Sequence, residues 1–250
     1  MTTKAAKRAI QKHKKFLSLP LSTNDGRSLL EFDFLLMDTK KSRMMAKLFM
    51  KYLRSSGKVH VTTPAGTDMM FYKENRNPGF STALLRDGKG IQSSSIEVYV
   101  PIEETKTEGI MVLDGSLGYI GRADEPTRII FKGGRIVDIE ETPTGIRLKK
   151  YMEKYFDPRI YIAGELGIGL NSCSNCLGNC YIEDESAYGT FHVGLGRNIA
   201  LGGVQNAKGH FDLVCREPDI FTDNRQIMDR GKILHPSLCY TKGQNQEDKN

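Results

Sequence analysis

Three short stretches of this chain repeat one design, and that design limits what the chain can become. In GELGIGL (residues 164–170), Leu166, Ile168 and Leu170 alternate with Glu165, Gly167 and Gly169. In FHVGLG (191–196), Phe191, Val193 and Leu195 alternate with His192, Gly194 and Gly196. In IEVYV (96–100), Ile96, Val98 and Val100 alternate with Glu97 and Tyr99. A period of two is that of a strand, whose successive side chains point to opposite faces. Each stretch is therefore expected to bury an apolar face and turn one ionisable group to the other. Glycine weakens a strand, so repeated glycines on one face mark close approach of a ligand or another backbone. Here they are expected to leave room for something to bind beside the ionisable group.

A fourth stretch, AKGHFDLV (207–214), sets His210 and Asp212 on one strand face and Phe211 and Leu213 on the other. Together with Glu97, Glu165 and His192 this makes three carboxylates and two imidazoles, a metal-ligand inventory. Hard oxygen donors mixed with imidazole suit Zn, Mn, Co or Fe(II) rather than thiolate-preferring Cu(I). Taken singly, each of these residues also reads as a polar group satisfied by hydrogen bonds.

The remaining pattern is α+β, a strand-rich metal-binding body with a few helices. Residues 38–55 place Met45, Leu48, Phe49, Tyr52 and Leu53 at helical spacing, with Asp38 or Thr39 available as N-cap. KVHVTTPAGTDMMFY reads as strand, Pro-Ala-Gly turn and strand, and Gly133-Gly134 as a hairpin turn. Residues 145–156 return to helical spacing through Ile146, Leu148, Tyr151, Met152 and Tyr155. The expected division is an N-terminal helical segment over 1–56, a strand-rich metal-binding catalytic domain over 57–236 and a polar tail over 237–250.

Charge and cysteines narrow the function classes. The formal charge is +6, and much of the excess lies in Lys4, Lys7, Arg8, Lys12, Lys14 and Lys15. No nucleic-acid motif accompanies them, so a solvated helix face is the reading and nucleic acid is not an expected partner. No window has the run of about 18 apolar residues that a membrane span needs. Five cysteines, three of them in CSNCLGNC (173–180), make no complete disulfide framework and fit a reducing cytoplasm. A loop with free thiols is expected there, because no fourth ligand follows at a zinc or iron–sulfur interval.

At TTPAGTD, AGELGIGLN, EDESAYGTFHVGLG and KGHFDLV the chain resembles the aminopeptidase T family of metallopeptidases and the related 2,5-dihydroxypyridine dioxygenases. The resemblance runs from about residue 59 to 234. It implies a fold like the C-terminal domain of aminopeptidase T, shortened at the N-terminus, and in the peptidases a cocatalytic two-metal site. By position in these motifs, Glu97 looks like the first carboxylate ligand and Glu165 the second, bridging one. His192, His210 and Asp212 complete the set. The peptidases' tyrosine ligand is replaced here by Ile199, and neither Arg197 nor Asn198 is an obvious substitute.

The expected function is a zinc-, cobalt- or manganese-dependent aminopeptidase, a hydrolase and protease, removing N-terminal residues from peptides through a metal-activated water. Glu185 is then the candidate general base and Tyr188 a candidate oxyanion stabiliser, with Thr67 and Asp68 lining the pocket or forming a turn. The alternative is a mononuclear Fe(II) ring-cleaving dioxygenase of dihydroxypyridine type, with His192, His210 and Asp212 as its two-His, one-carboxylate triad. A third reading is a non-catalytic, metal-stabilised binding protein. A peptide or small-molecule substrate, no membrane partner and a homodimer complete the expectation.

Overall fold

The computed structural model describes residues 4–18, 23–84, 91–223 and 225–235. From the N-terminus, helix α1 (Lys4–Gln11) and strand β1 (Phe16–Ser18) precede helix α2 (Thr39–Ser55). Strands β2 (Lys58–Thr62), β3 (Asp68–Tyr72), β4 (Gly79–Thr82), β5 (Ile91–Ser93), β6 (Ile96–Pro101) and β7 (Glu108–Leu113) follow. Next come β8 (Thr127–Lys132), β9 (Arg135–Ile139), helix α3 (Pro143–Glu153), β10 (Ala163–Gly169), helix α4 (Tyr181–Ser186) and β11 (Thr190–Gly196). The chain continues through β12 (His210–Arg216), β13 (Asp219–Thr222), β14 (Arg225–Asp229) and β15 (Lys232–Ile233). This is the α+β architecture the alternating pattern predicts. The polar tail over 237–250 lies outside the described residues.

Two antiparallel sheets carry the fold, one with strand order β15-β14-β13-β2-β3-β7-β8-β9 and the other β12-β11-β10-β6-β4. A short parallel pair, β1 with β5, stands apart. The larger sheet alternates in the ordinary way, with Val59, Val61, Met69, Phe71, Ile129 and Phe131 inside and Lys58, Asp68 and Lys132 outside. In the smaller sheet β10 and β11 are buried at every residue. Both of its faces are covered, one by apolar packing and the other by the elements that surround the ionisable groups.

The apolar faces of both sheets contribute to one contiguous core. Val98, Leu166, Ile168, Val193, Phe211 and Leu213 from the smaller sheet join the larger sheet's apolar residues, together with Phe49 of α2 and Leu148 of α3. Asp38 caps helix α2, its carboxylate accepting from Lys40 and Lys41 N–H; it is one of the two caps the sequence offers. It buries Met45, Phe49 and Leu53 and packs against β4 and β6. Helix α3 begins earlier than the apolar spacing suggests, because Thr142 caps it and Pro143 opens it, and it ends at Glu153. Tyr155 and Phe156 lie past its end, with Phe156 at φ 47°. Gly133 and Gly134, at φ 55° and 78°, close the β8–β9 hairpin as a turn with two left-handed residues. Among the described residues, no helix is long and apolar enough to cross a membrane.

Candidate metal centre

The four strands singled out by their sequence design are neighbours, in the order β12-β11-β10-β6. The register sets each ionisable side chain across from a glycine. Glu97 lies opposite Gly169, His192 opposite Gly167, Glu165 and Asp212 both opposite Gly194, and His210 opposite Gly196. A Cβ on Gly167 would lie 1.9 Å from His192 Nε2, and one on Gly194 would lie 2.8 Å from Glu165 Oε2 and 2.7 Å from His210 Cε1. The glycines therefore do not leave open room for a bound molecule, as their spacing suggests. Gly167 and Gly194 are recesses into which neighbouring ionisable side chains lean, whereas a Cβ on Gly169 would meet the Ala187 carbonyl and one on Gly196 the Gly209 carbonyl, and five polar side chains converge above one sheet.

Two groups of side chains result, sharing one carboxylate. Glu97, Glu165 and His192 offer ligand atoms within 4.8 Å of one another, and so do Glu165, His210 and Asp212. His192 Nε2 is 3.1 Å from Glu97 Oε2, while His210 Nε2 is 3.2 Å from Glu165 Oε2 and 3.3 Å from Asp212 Oδ1. The His210 Nδ1–H donates to the Arg197 carbonyl at 2.9 Å, because that oxygen can only accept. His210 Nε2 is thus turned toward two carboxylates, either carrying a shared proton or offering its lone pair to a cation. Ser95 Oγ donates to Glu97 Oε1 at 2.8 Å and fixes that carboxylate.

The electrostatics call for positive charge. Glu97, Glu165, Asp212 and His192 are all less than 9% exposed, and Glu185 enters the same buried space from α4. Two imidazoles cannot balance four carboxylates in a buried site, where an unpaired charge is strongly disfavoured. Burial pushes the Glu165 carboxyl up, partly offset by His210. Burial also pushes Glu185 well above the usual carboxylate range, and the charges of Glu97, Asp212 and Glu165 add to it. For His192 burial opposes the charged form, but the Glu97 hydrogen bond and the surrounding carboxylates prevail and hold the imidazole at about 9. His210 is raised further by Asp212 and Glu165 against the same burial. Among the described residues, His192 Nδ1 is buried with no hydrogen-bond partner, and buried Asp212 Oδ1 has only its 3.3 Å approach to His210 Nε2. A buried imidazole nitrogen without a partner, crowded carboxylates and a donor set of oxygen and imidazole nitrogen fit a bound divalent metal.

A cavity of about 250 Å³ opens onto these groups. Helix α4 covers it, supplying Glu185, Ile182 and Tyr181. Asp184 anchors this short helix by accepting from Ser116 Oγ at 2.7 Å and Gly178 N–H at 2.9 Å. The CSNCLGNC loop leading into it holds its thiols free, with Cys176 and Cys180 buried. Asn24 and Arg216 bind the loop's carbonyls at Gly178 and Cys176, and none of its cysteines belongs to a ligand group among the described residues.

Other candidates lie elsewhere. The Tyr188 hydroxyl accepts from Ile233 N–H at 3.1 Å, and Tyr188 does not line the cavity. Thr67 bonds Val112 through its hydroxyl, and Asp68 pairs with His60 at 2.7 Å on the larger sheet, so both serve the β2–β3 turn region. Ile199, in place of a tyrosine ligand, is 49% exposed. Sequence reasoning passed over Ser95, although it sits two residues before Glu97 on the same strand face. It set Arg197 aside as no obvious substitute for a tyrosine ligand; the part of Arg197 that meets His210 is its carbonyl, which leaves no mark in the sequence.

The family model for 2,5-dihydroxypyridine 5,6-dioxygenases (NicX) matches residues 34–235. A curated relative, the 2,5-dihydroxypyridine 5,6-dioxygenase of Pseudomonas putida, is 24% identical over 215 residues, covering 80% of this chain and 59% of its own length. The chain thus spans about three-fifths of the curated relative it matches. Among solved structures, the 2,5-dihydroxypyridine dioxygenase from Pseudomonas putida KT2440 superposes with a TM-score of 0.77 at 20% identity, over 95% of this chain and 70% of that one. Wild-type AmpT from Thermus thermophilus reaches 0.56 at 15% identity, over 78% and 54%. These likenesses establish the fold. The family match corrects the expectation of an aminopeptidase, and with it the labels hydrolase, metallopeptidase and protease. The reason is physical as well: carboxylates and imidazoles on a strand face serve hydrolytic and oxidative metals alike, so the ligand types alone could not separate the two chemistries.

Proposed function

This chain belongs to the 2,5-dihydroxypyridine 5,6-dioxygenase family, and on that premise we propose that it is an Fe(II)-dependent, ring-cleaving dioxygenase acting on a dihydroxypyridine. The observation that carries this reading is the meeting of two ligand groups on one buried sheet face inside the matched span, His192 with Glu97 and Glu165, and His210 with Asp212 and the same Glu165. His192, His210 and Asp212 would hold the iron, with Glu165 between the two groups and Glu97 behind His192. Bound there, Fe(II) supplies the redox chemistry that lets O₂ attack an electron-rich ring.

The chain's own residues prepare the site. The Arg197 carbonyl keeps the proton on His210 Nδ1 and so presents Nε2 as a ligand. Ser95 holds Glu97 toward His192. Burial and the neighbouring carboxylates push the Glu185 carboxyl well above the usual range, which suits it to take up and release a proton beside Asp212. Helix α4 limits water at the ligand face, and a cavity of about 250 Å³ suits a single small ring.

The test is anaerobic loading with Fe(II), followed by O₂ and 2,5-dihydroxypyridine, with oxygen uptake and loss of ring absorbance recorded together. One O₂ consumed per ring is the expected result, and an iron-loaded protein that takes up no oxygen with this substrate would overturn the reading. His210→Ala and Asp212→Ala should each abolish iron binding and uptake without unfolding the chain. Unchanged iron content in both variants would overturn the ligand assignment while leaving the reaction open to measurement.

A further inference from the structure

The cavity lining mixes polar side chains such as Ser81, Ser95 and Glu97 with tyrosines, Tyr99 among them; Tyr119 and Tyr181 meet each other with ring centroids 4.3 Å apart and planes at 49°. Tyr119 remains 47% exposed although it borders a site whose ligands are mostly buried. A large ring left uncovered beside a buried polar floor is a contact surface in search of an apolar face.

The position of this pair is built in. Tyr119 lies on the turn Gly118–Ile120, which follows a two-way bridge to β12. Ser116 N–H donates to the Val214 carbonyl at 3.1 Å, and Val214 N–H donates to the Ser116 carbonyl at 2.9 Å. Gly118, at φ 56°, sits so near Asp212 that a Cβ would meet the Asp212 carbonyl at 2.9 Å. Tyr181 is the first residue of α4, and the buried Ser116–Asp184 hydrogen bond ties that helix to the Tyr119 turn. The spacing of the two rings is therefore set by the same backbone that positions Asp212.

We propose that Tyr119 and Tyr181 form a preset aromatic wall that selects a planar ring over a saturated one of the same size. The proposal rests on the dioxygenase reading for the choice of ligand. Offset or edge contacts between aromatic rings favour association by an amount that a saturated ring does not reproduce, and a wall needing no rearrangement loses little of that gain to ordering.

The experiment measures binding of 2,5-dihydroxypyridine to the iron-loaded protein with O₂ excluded, so that no turnover intervenes, beside the saturated lactam 2-piperidone. Tyr119→Leu and Tyr181→Leu should each weaken binding of the planar ring by roughly 10-fold and leave the lactam unchanged. Tyr119→Phe and Tyr181→Phe, which keep the ring, should bind like the parent. The chain has no tryptophan, so tyrosine fluorescence gives a second readout: quenching on ligand addition that shrinks in Tyr119→Leu. Iron affinity should stay constant throughout, which separates a ligand wall from a general structural role. Leucine variants that bind the planar ring within twofold of the parent, or that lose the lactam equally, would overturn the proposal. A parent protein that binds the ring and loses it in the leucine variants, yet consumes no O₂, keeps the wall and overturns the dioxygenase reading. Oxygen consumption that is normal in parent and leucine variants alike does the reverse.

Discussion

Gly167 does more for the site than its missing side chain suggests. His192 lies in the recess it leaves, and an added methyl would meet Nε2 at 1.9 Å, so the ring must move. Gly167→Ala should therefore weaken metal binding by on the order of 10- to 100-fold, the scale on which loss of ligand orientation acts. The cost to stability should be about 1–3 kcal/mol, as for other overpacked interiors. Metal titration beside thermal unfolding separates the two, and wild-type metal affinity in the alanine variant would mean that the recess does not position His192. The imidazole also predicts a pH dependence. An unfolded histidine titrates near 6.5, whereas His192 is held up at about 9 by Glu97 and its carboxylate neighbours against burial. Its charged form thus stabilises the metal-free fold fully below pH ~6.5, and that contribution is lost as pH rises through about 9. The unfolding temperature of chelator-treated protein should fall across this window. Metal affinity should rise over the same interval, because ligands must shed protons to bind. A flat profile in both measurements would contradict the assigned environment.

Two elements outside the ligand strands are expected to behave differently from each other. Asp38 caps α2, which supports β4 and β6 from the core side. Asp38→Ala should cost about 1 kcal/mol, read as a lowered denaturation midpoint with an unchanged slope, and should leave metal affinity as it was. The segment between β11 and β12 is fastened from inside. Asn198 is fully buried; its amide donates to Glu104 Oε1 at 2.7 Å and the Gly164 carbonyl at 3.0 Å, and its oxygen accepts from Gln205 N–H at 2.9 Å. Gly164 precedes Glu165, which both side-chain groups share, and Arg197 with its carbonyl on His210 precedes Asn198. Asn198→Ala should consequently reduce metal affinity by about 10-fold or more, in contrast to Asp38→Ala. Isothermal titration of both variants checks the contrast, and equal affinities would place the segment outside the site's support.

At the scale of the whole molecule, a metal that binds only the folded chain is a stabiliser. Fe(II) at 100 times its dissociation constant should add ~2.7 kcal/mol, seen as a chelator-reversible rise in unfolding temperature. His210→Ala should abolish that rise. Much of the architecture was legible beforehand because it is written in local periodicity. Alternation over GELGIGL and FHVGLG marks strands with one apolar face, Asp38 before an apolar helical stripe marks a cap, and Gly133-Gly134 between β-rich runs marks a hairpin. The residue types that make the two groups were legible for the same reason, since each sits on the strand face opposite an apolar one. Other properties depend on contacts between residues far apart in the chain, which local pattern does not encode. That β6, β10, β11 and β12 adjoin in a register placing each candidate ligand across from a glycine came from the tertiary structure alone. It also brought the Arg197 carbonyl to His210 and paired Tyr119 with Tyr181 above the cavity. By itself, then, the sequence determined the strands and the ligand inventory, through steric and hydrophobic rules acting over a few residues. The tertiary structure decided the site, because convergence is a matter of long-range register and of which backbone groups are left facing it.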